Sequence, residues 1–378
     1  MDFKLTEDQE LILKAVKEIC QKELSPLADE VDKKGEFPWE NIRKLARYDL
    51  CGIPISQEYG GLGQDFLTWA LVGEEISHAC TTTGAIFGAN MLCIYPIYAF
   101  GNEDQKKKYL APLVKGEIIG AFALTEPDAG SDAAGIKTTA VRQGDEYILN
   151  GTKLFITNAG EAQIYVIMAK TAPERGARGM SAFIVERGTS GFSFGKEEEK
   201  MAYSSLANRE LIFADCRVPT ENLLLKEGRG FRVAMETLDV GRIGMGIGAV
   251  GLARAAYEEA INYSKSRVQF GSPISTFQAI QFMLADMATQ IEAARLLVLK
   301  AAYMKDQGNP FSHIAAMAKL YASEMAMMVV NKALQIHGGY GYTKEYKIER
   351  YFREAKLFEI VEGTSEIQRL VIANHVLK

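Results

Sequence analysis

The sequence predicts an α+β protein in which a central β region separates two helical regions. Three observations indicate this order. Apolar residues repeat at helical spacing up to about residue 118, short runs separated by turn residues follow from 119 to 222, and long amphipathic stretches begin at about 223. We therefore expect three domains, at residues 1–118, 119–222 and 223–378. A chain of 378 residues, 48% of them hydrophobic, is long enough to bury several cores.

Composition and charge make several classes of protein improbable. The formal net charge is -5, so a basic nucleic-acid surface is not expected. We expect no apolar run to approach about 20 residues, and therefore no membrane-spanning segment. The chain start lacks a secretory signal pattern, and five scattered cysteines without a CxxC pair fit a reducing cytoplasm. Four histidines without metal-ligand spacing predict no metal site, which leaves a carboxylate or a bound cofactor to carry any chemistry.

The first region is predicted to be helical. Leu11, Ala15, Val16 and Ile19 repeat at the spacing of one helix face. Residues 102–113 place a charged QKKK run opposite apolar positions, as in a surface helix of a globular protein.

The central region is predicted to be a β-sandwich or β-barrel, because short strand-like runs recur at regular intervals. The turn residues Asn150-Gly151 and Asn158–Gly160 are expected to separate some of these runs. The predicted strands are Glu146–Leu149, Lys153–Thr157, Ile164–Met168, Ser181–Val185 and Glu210–Phe213.

The last region is predicted to be a four-helix bundle, because three long amphipathic stretches are followed by a shorter one. The predicted helices are Phe231–Lys265, Ile280–Gln307, Ser312–Ile336 and Ser365–Val376. Residues 246–251 match the pattern GxGxxG. They lie inside a predicted helix with no preceding strand, so we attribute these glycines to close helix contacts.

Two loops contain residues suited to chemistry. Residues 122–132 join the helical and β regions, and Gly130, which permits positive φ, makes this segment suited to holding a polar ring edge or a phosphate. An ordinary linking turn is the alternative. In the second loop Ser365 and Gln368 form a capping-box pattern, which places Glu362 just before a helix. Glu362 is a proton-abstracting base if it faces an apolar pocket, and otherwise a solvated or capping charge.

Five motifs resemble the acyl-CoA dehydrogenase family in the same order and at matching spacing. They are FALTEPDAGSD at 122–132, LNGTKLFITN at 149–158, RVQFGSPISTFQAIQFMLADM at 267–287, QIHGGYGY at 335–342 and VEGTSEIQR at 361–369. The resemblance covers nearly the whole chain. It implies the family fold, with an N-terminal helical domain, a central β domain and a C-terminal four-helix domain.

The resemblance implies a non-covalent FAD site between the β domain, the helical bundle and a neighbouring subunit. The residues it places at the flavin and the nearby substrate are Phe122, Leu124, Thr125, Gly130, Ser131, Phe155 and Thr157. Many relatives have Trp at the position of Phe155. The residues it places at the pyrophosphate or adenosine half, across a subunit interface, are Arg267, Phe270, Gln278, Gln335, Ile336, Gly338 and Gly339. Thr364 and Glu366 complete the implied FAD contacts.

The same resemblance implies that Glu362 is the catalytic base. The thioester carbonyl would accept hydrogen bonds from the Glu362 backbone N–H and a flavin ribityl hydroxyl, while Glu362 removes the α proton and the β hydride passes to flavin N5. Some branched-chain relatives carry the base at the position of Gly241, where a glycine leaves Glu362 as the candidate. The implied substrate contacts are Ser131, Asp239, Arg242, Val361 and Gly363.

Two departures from the family pattern bear on the substrate. Val361 stands where relatives commonly have Tyr, and the run at 200–205 lacks the usual arginine. A likeness to bacterial butyryl-CoA dehydrogenases favours a short straight acyl chain. A bulkier cyclic or aryl-propenoyl substrate is the alternative, because Val361 alters the acyl pocket.

The direction of the reaction is open at this point. Some relatives work as enoyl-CoA reductases with electron-transferring flavoprotein, including in flavin-based bifurcation. A DNA-associated, catalytically weak member is an alternative of another class, which the net charge of -5 does not favour. The resemblance further implies a homotetramer and electron-transferring flavoprotein as redox partner. The cysteine pattern, the charge and the hydropathy predict a cytoplasmic location with no nucleic-acid or membrane partner.

Overall fold

The computed structural model describes residues 4–377, and its elements follow the predicted order of helices, sheet and helices. The first region is helical, as expected, and the charged stretch at 102–113 lies in a helix that Asn102 caps. The N-terminal helices are α1 (Glu7–Ile19), α2 (Ala28–Lys34), α3 (Trp39–Arg47), α4 (Phe66–Ala79), α5 (Thr81–Phe100) and α6 (Glu103–Val114).

The central region forms one eight-stranded, mostly antiparallel sheet with the order β6-β7-β3-β2-β4-β5-β8. Strand β1 pairs in parallel with β4, which leads the chain out of the helical region into the sheet. The strands are β1 (Gly120–Ala123), β2 (Thr139–Gln143), β3 (Glu146–Thr157), β4 (Ile164–Lys170), β5 (Met180–Glu186), β6 (Phe192–Glu197), β7 (Asn208–Pro219) and β8 (Leu223–Leu224).

The predicted turn at Asn150-Gly151 is wrong. The runs on either side of it belong to the single strand β3, and Gly151 lies at an irregularity in the pairing with β7. A Cβ atom on Gly151 would lie 2.5 Å from Oγ1 of Thr138, and its φ of 148° disfavours other residues. This glycine therefore permits a bulge rather than a turn. The second predicted turn is confirmed, because β3 ends at Thr157 and Asn158 has a φ of 65°.

The C-terminal region contains the four predicted helices and one that the sequence analysis missed. The helices are α7 (Gly230–Ser266), α8 (Gln278–Asp306), α9 (Ser312–His337), α10 (Ile348–Phe358) and α11 (Ser365–Val376), with the short strands β9 (Val268–Gln269) and β10 (Ser272–Pro273) after α7. The missed helix α10 is charge-rich, but Ile348, Tyr351, Ala355 and Phe358 are buried at helical spacing.

The GxGxxG pattern lies inside α7, where its glycines allow close helix contacts as predicted. Cβ atoms added at Gly246, Gly248 and Gly251 would lie 2.7 Å from Val298, 2.8 Å from Phe358 and 2.7 Å from the carbonyl oxygen of Glu74. These neighbours belong to three different helices, α8, α10 and α4. Helix α7 is therefore the central helix around which the other helices pack.

Helix α5 contradicts the expectation that no apolar segment approaches the length of a membrane span. It has 20 residues and is long and apolar enough, by length and composition only, to cross a bilayer. However, 72% of its apolar window is buried inside the protein, where α5 packs against α4, α6, α7 and β1. Its composition is that of a core helix.

Candidate active site

Glu362 lies in the turn between α10 and α11 and has a left-handed backbone conformation, with a φ of 54°. Gly363 follows with a φ of 94°, so two consecutive residues adopt conformations that ordinary side chains disfavour. Such strain at a non-glycine residue persists where the surroundings hold it, and it is frequent at functional sites.

The predicted capping of α11 by Ser365 and Gln368 is wrong by one residue. Thr364 is the N-cap, and its hydroxyl accepts a hydrogen bond from the backbone N–H of Ile367 at 3.4 Å. The Gln368 side chain turns back instead, and its Nε2 donates to the carbonyl oxygens of Glu362 at 3.1 Å and Gly363 at 2.8 Å. Gln368 therefore fixes the turn that presents Glu362.

The carboxylate of Glu362 points against α7 at Gly241. Its Oε2 atom is shielded from solvent and has no hydrogen-bond partner among the described residues, although the residue as a whole is only half-buried. A Cβ atom on Gly241 would lie 1.9 Å from this oxygen and 2.8 Å from Cδ2 of Leu92. Gly241 thus leaves the space that the carboxylate uses.

Burial dominates the electrostatics of this carboxylate. It raises the pKa of Glu362 to about 7, against the opposing charges of Lys319 and Arg242. At neutral pH both the ionised and the protonated forms of Glu362 are populated. A carboxylate with this pKa is suited to accept or donate a proton near neutral pH.

Asp239 and Arg242, predicted substrate contacts, form a buried ion pair one turn apart on α7. Arg242 Nη1 donates to Asp239 Oδ1 at 2.5 Å, and the Ser312 hydroxyl donates to the same oxygen at 2.9 Å. The Nε atom of Arg242 is buried without a partner among the described residues. The ion pair therefore leaves the Arg242 Nε atom near Glu362 without a hydrogen-bond partner among the described residues.

A buried ion pair, which the sequence analysis did not assign, holds the predicted loop after β1 against strand β3. Lys153 Nζ donates to Glu126 at 2.7 Å and to the carbonyl oxygen of Leu124 at 3.0 Å, and both charged side chains are almost fully buried. The backbone N–H of Leu154 also donates to the carbonyl oxygen of Thr125 at 2.9 Å. These contacts join the 122–132 motif to the 149–158 motif.

Around this anchor the predicted flavin residues differ in exposure. Phe122 and Thr125 are half-buried and Leu124 is buried, whereas Gly130 and Ser131 are exposed. Gly130 does not have the predicted positive φ, and a Cβ atom there would meet open space, so neither backbone strain nor a close contact with a described residue requires this glycine.

Phe155 is the most unusual of these residues, because it is 59% exposed and has a φ of 58°. Thr157 is half-buried two residues further along β3. An exposed aromatic ring on a strained backbone is a costly arrangement that a bound planar ring would explain.

A second group of predicted cofactor residues surrounds a cavity of about 570 Å³ at the far end of α7. Arg267 follows the last residue of α7 and lies over the ring of Tyr340 at 5.2 Å. Gly338 has a φ of 58°, and neither Gly338 nor Gly339 would bring a Cβ atom near a described atom. Open backbone beside a guanidinium is suited to a phosphate group.

The other residues predicted for this half of the cofactor lie nearby in the chain and mostly face outward. Phe270 is 97% exposed with a φ of 51°, Gln278 is the exposed first residue of α8, Gln335 is exposed and Ile336 is buried at the cavity. The Arg267 guanidinium, the Gln278 and Gln335 amides and the open backbone at Gly338-Gly339 can donate hydrogen bonds to phosphate and ribose oxygens, so these residues fit the predicted cofactor.

The two groups lie far apart within one chain. Gly241, at the Glu362 carboxylate, and Arg267 are separated by 26 residues of one continuous helix, which corresponds to roughly 39 Å at the helical rise per residue. Thr364 and Glu366 belong to the Glu362 end, because they adjoin it in the turn and in α11. The Glu362 turn and the cavity beside Arg267 therefore lie at well-separated positions along α7.

Sequence reasoning missed Lys319 and the roles of Gln368, Glu126 and Lys153. Lys319 is a fully buried lysine in the run AAMAKLYA at 315–322, and its isolation on an apolar helix face was a usable signal. Glu126 and Lys153 lay inside recognised motifs, but their pairing depends on how β1 and β3 meet.

Comparison with known proteins identifies the family of this chain. Family models of the acyl-CoA dehydrogenase N-terminal, middle and C-terminal domains match residues 6–117, 121–216 and 228–377. The chain is 50% identical to a short-chain specific acyl-CoA dehydrogenase of Clostridium acetobutylicum, covering 100% of both chains. It is also 50% identical to an acryloyl-CoA reductase (NADH) of Anaerotignum propionicum, covering 100% of this chain and 96% of the relative.

A solved structure is similar over its whole length. It is described as "Electron transferring flavoprotein of Acidaminococcus fermentans: Towards a mechanism of flavin-based electron bifurcation", with a TM-score of 0.99, 52% identity and 100% coverage of both chains.

The fold and site thus define a flavin-dependent oxidoreductase that acts on the CH–CH bond of CoA thioesters. The chain belongs to the acyl-CoA dehydrogenase family, and FAD is its cofactor. Its reaction interconverts an acyl-CoA and the corresponding 2-enoyl-CoA.

Proposed function

We propose that Glu362 is the catalytic base that removes the α proton of a short-chain acyl-CoA during α,β-dehydrogenation. The observation that carries this proposal is the Oε2 atom, which is shielded from solvent, has no hydrogen-bond partner among the described residues and occupies the space beside Gly241. A pKa raised to about 7 by burial makes the carboxylate a stronger base than an exposed glutamate.

The backbone at Glu362 supports a second role, which is to bind the thioester carbonyl. In the described part of the chain the N–H of Val361 donates to the carbonyl oxygen of Leu357, while the N–H of Glu362 has no acceptor. A free backbone N–H beside the base is suited to stabilise the negative charge that develops on the thioester oxygen when the α proton leaves.

FAD, when bound, supplies the acceptor for the hydride that leaves the β carbon. We propose that each FAD is held by two subunits, because the two groups of candidate residues lie roughly 39 Å apart along α7. One subunit contributes the loop after β1, Phe155, Thr157, Thr364 and Glu366. Its neighbour contributes Arg267 and Gly338-Gly339, together with Phe270, Gln278, Gln335 and Ile336.

This division of the site supports a homo-oligomer, which we propose is the family's usual tetramer. Phe270 at 97% exposure and Tyr342 at 87% exposure are large apolar side chains beside the cavity residues, as expected for a surface that a second copy covers. A cytoplasmic location stays a prediction.

The CoA portion is proposed to lie along the N-terminal half of α7, near the Asp239–Arg242 pair and Ser131. The buried, unpartnered Nε of Arg242 supports this assignment, because it leaves a guanidinium donor for a polar group of the substrate. Val361 and Gly363 flank the base, with Val361 half-buried beside it. A short acyl group is further supported by the short-chain specific relative at 50% identity.

Reduction of an enoyl-CoA is the second candidate direction. The pKa of Glu362 is compatible with it, because the protonated form that must donate to the α carbon is populated at neutral pH. The acryloyl-CoA reductase relative supports the same direction. We propose electron-transferring flavoprotein as redox partner, supported by the structural neighbour described under that name.

A comparison of the holoenzyme with Glu362→Gln tests the proposed base. We expect butyryl-CoA to bleach the flavin absorbance of the wild type, and the rate to fall by about 10³-fold or more in the variant. Glu359→Gln, three residues earlier in the same turn, is the matched control and should bleach at close to the wild-type rate. Unchanged bleaching by Glu362→Gln at full FAD content would contradict the proposal.

A panel of acyl-CoA and enoyl-CoA esters then separates the substrate classes. Faster bleaching with butyryl-CoA than with longer or aryl-propanoyl esters supports the short-chain assignment. Faster reoxidation of the reduced flavin by crotonyl-CoA or an aryl-propenoyl-CoA than bleaching by the saturated ester would favour the reductase.

A further inference from the structure

Lys319 is a lysine whose side chain is fully buried in the C-terminal bundle, on the face of α9 that also carries Ala315, Ala318 and Ala322. Burying an ammonium group is costly unless it is hydrogen-bonded or paired. Within residues 4–377 no carboxylate lies within ion-pair distance of its Nζ atom. The group therefore requires another explanation than a structural salt bridge.

The contact that Lys319 makes is with the turn that carries Glu362. Its Nζ atom donates to the carbonyl oxygen of Gly363 at 2.8 Å, and Gln368 Nε2 donates to the same oxygen at 2.8 Å. Gln368 also reaches the carbonyl oxygen of Glu362. Two buried donors from different helices thus hold two consecutive peptide groups.

These donors act on a strained part of the backbone. Glu362 and Gly363 have φ values of 54° and 94°, and a glutamate in this region relaxes unless its neighbours prevent it. A Cβ atom on Gly363 would lie 2.7 Å from Nε2 of Gln368, which shows how closely the donor approaches the turn. The direction of the Glu362 side chain therefore depends on these hydrogen bonds.

The charge of Lys319 also acts on this carboxylate. The charged groups that face Glu362 are Lys319 from α9 and Arg242 from α7. Arg242 is already paired with Asp239, which offsets much of its charge. Lys319 faces Arg242 too, and more weakly Glu359 and Glu366 on the two sides of the turn. Lys319 is the cation near Glu362 without a carboxylate in direct contact.

We propose that Lys319 is a positioning residue for Glu362. Its ammonium group holds the Gly363 carbonyl so that the Glu362 carboxylate stays in the space beside Gly241, and its positive charge favours the ionised form that accepts a proton. This inference rests on the proposed role of Glu362 as base. Lys319 itself touches neither substrate nor the reacting atoms in this role.

A purely structural role makes a different prediction. If Lys319 only packs between helices, its loss lowers stability and leaves the proton affinity of Glu362 unchanged. If Lys319 positions Glu362 and its positive charge stabilises the ionised carboxylate, its loss raises the pH at which Glu362 ionises.

The experiment compares holoenzyme carrying Lys319→Met with holoenzyme carrying Lys332→Met. Lys332 lies on the same helix, but its ammonium group pairs with Asp286 near the surface. Infrared difference spectra follow the carboxylic-acid carbonyl band of Glu362 as pH changes, with Glu362→Gln subtracted in each background. This readout does not depend on turnover. The pH profile and the separate values of kcat and KM for butyryl-CoA are then measured.

In Lys319→Met we expect the pH at which half of the Glu362 carboxylic-acid band is lost, the titration midpoint, to rise by about one pH unit. The acidic limb of kcat should move with it, and kcat should fall more than KM changes. Lys332→Met should keep the wild-type midpoint. Lys319→Arg, which retains the positive charge, should have a midpoint close to that of the wild type. If Lys319→Met does not fold, Lys319→Gln serves instead, because it retains a donor but not the charge.

An unchanged midpoint in folded Lys319→Met or Lys319→Gln would overturn the positioning role. That failure is distinct from failure of the proposed function. If Glu362→Gln abolishes flavin bleaching while the midpoint is unaffected by Lys319, only the inference about Lys319 is rejected. If Glu362→Gln bleaches normally, the role of Glu362 as base is rejected first.

Discussion

Two glutamates, eight residues apart, share a raised pKa and an unpartnered carboxylate oxygen but differ in burial and in their surroundings. Burial raises the pKa of both Glu354 and Glu362 to about 7, and each has an Oε2 atom without a hydrogen-bond partner among the described residues. Glu354 lies within α10, is 2% exposed and is 3.6 Å from Arg350, which also binds Asp29 of α2. Glu362 lies on a strained turn, is half-buried and faces the space beside Gly241.

This difference teaches that a raised pKa does not by itself identify a base. Glu354 belongs to a polar cluster that joins the N-terminal helices to α10, and its ion pair with Arg350 restricts it to that contact. Glu362 combines the same proton affinity with a strained backbone and a carboxylate that lies against Gly241 of α7. Orientation and surroundings separate the proposed base, Glu362, from Glu354.

Shortening each glutamate by one methylene is the strongest way to break the comparison. In Glu362→Asp the carboxylate withdraws from the space beside Gly241, and we expect the rate of flavin bleaching by butyryl-CoA to fall by about 10²-fold. Glu354→Asp should change that rate by less than about threefold, because the cluster around Arg350 is not proposed to contact substrate. Equal losses in stopped-flow measurements of the two variants would mean that the two regions are not functionally distinct.

Filling the space beside Glu362 tests the geometry without changing the base. The added Cβ of Gly241→Ala would lie 1.9 Å from Oε2, so the carboxylate must move and the bleaching rate should fall by about tenfold or more. Gly244→Ala, one turn along α7, brings its Cβ only to 3.2 Å from Trp69 and serves as the control. A Gly241→Ala enzyme with the wild-type rate would show that the carboxylate does not need this space.

Stability is the property in which the two glutamates should behave alike. A glutamate with a raised folded-state pKa contributes stability that is complete below its unfolded pKa and is lost as pH rises to about 7. Glutamine does not ionise, so Glu354→Gln and Glu362→Gln do not lose stability in this way as pH rises. The free energy of unfolding of each variant, relative to that of the wild type, should therefore increase between about pH 5 and about pH 8 by up to about 3 kcal/mol.

Thermal unfolding at several pH values checks this expectation, with Glu359→Gln as a glutamate control in the same segment. A stability difference between variant and wild type that does not change with pH would show that burial does not raise the proton affinity of that glutamate.

Much of the fold was predictable because local patterns dominate it. Helices α7, α8, α9 and α11 follow their apolar repeats to within two residues, and the order of helices and sheet follows from where those repeats stop. Two expectations failed for tertiary reasons: that no apolar segment approaches the length of a membrane span, and that a turn lies at Asn150-Gly151. Helix α5 is apolar because it is buried in the protein. Asn150-Gly151 resembles a turn in sequence, but the pairing of β3 with β7 makes it a bulge within one strand.

The candidate site was predictable only where a motif marked it. Glu362 was identified through its motif, but its free oxygen and the space beside Gly241 depend on how the turn meets α7. Lys319 and Gln368 were missed because their partners are backbone carbonyl oxygens, which no sequence pattern identifies. Gln368 even fits a capping pattern that it does not use.

The exchange of the substrate α hydrogen tests most directly the claim that Glu362 is the base and Glu354 is not. Holoenzyme with reduced flavin, which cannot accept a hydride, is mixed with butyryl-CoA in D₂O, and proton NMR follows the loss of the α-hydrogen signal. Our account predicts exchange by the wild type and by Glu354→Gln, and only background exchange by Glu362→Gln. Exchange by Glu362→Gln at the wild-type rate would contradict it.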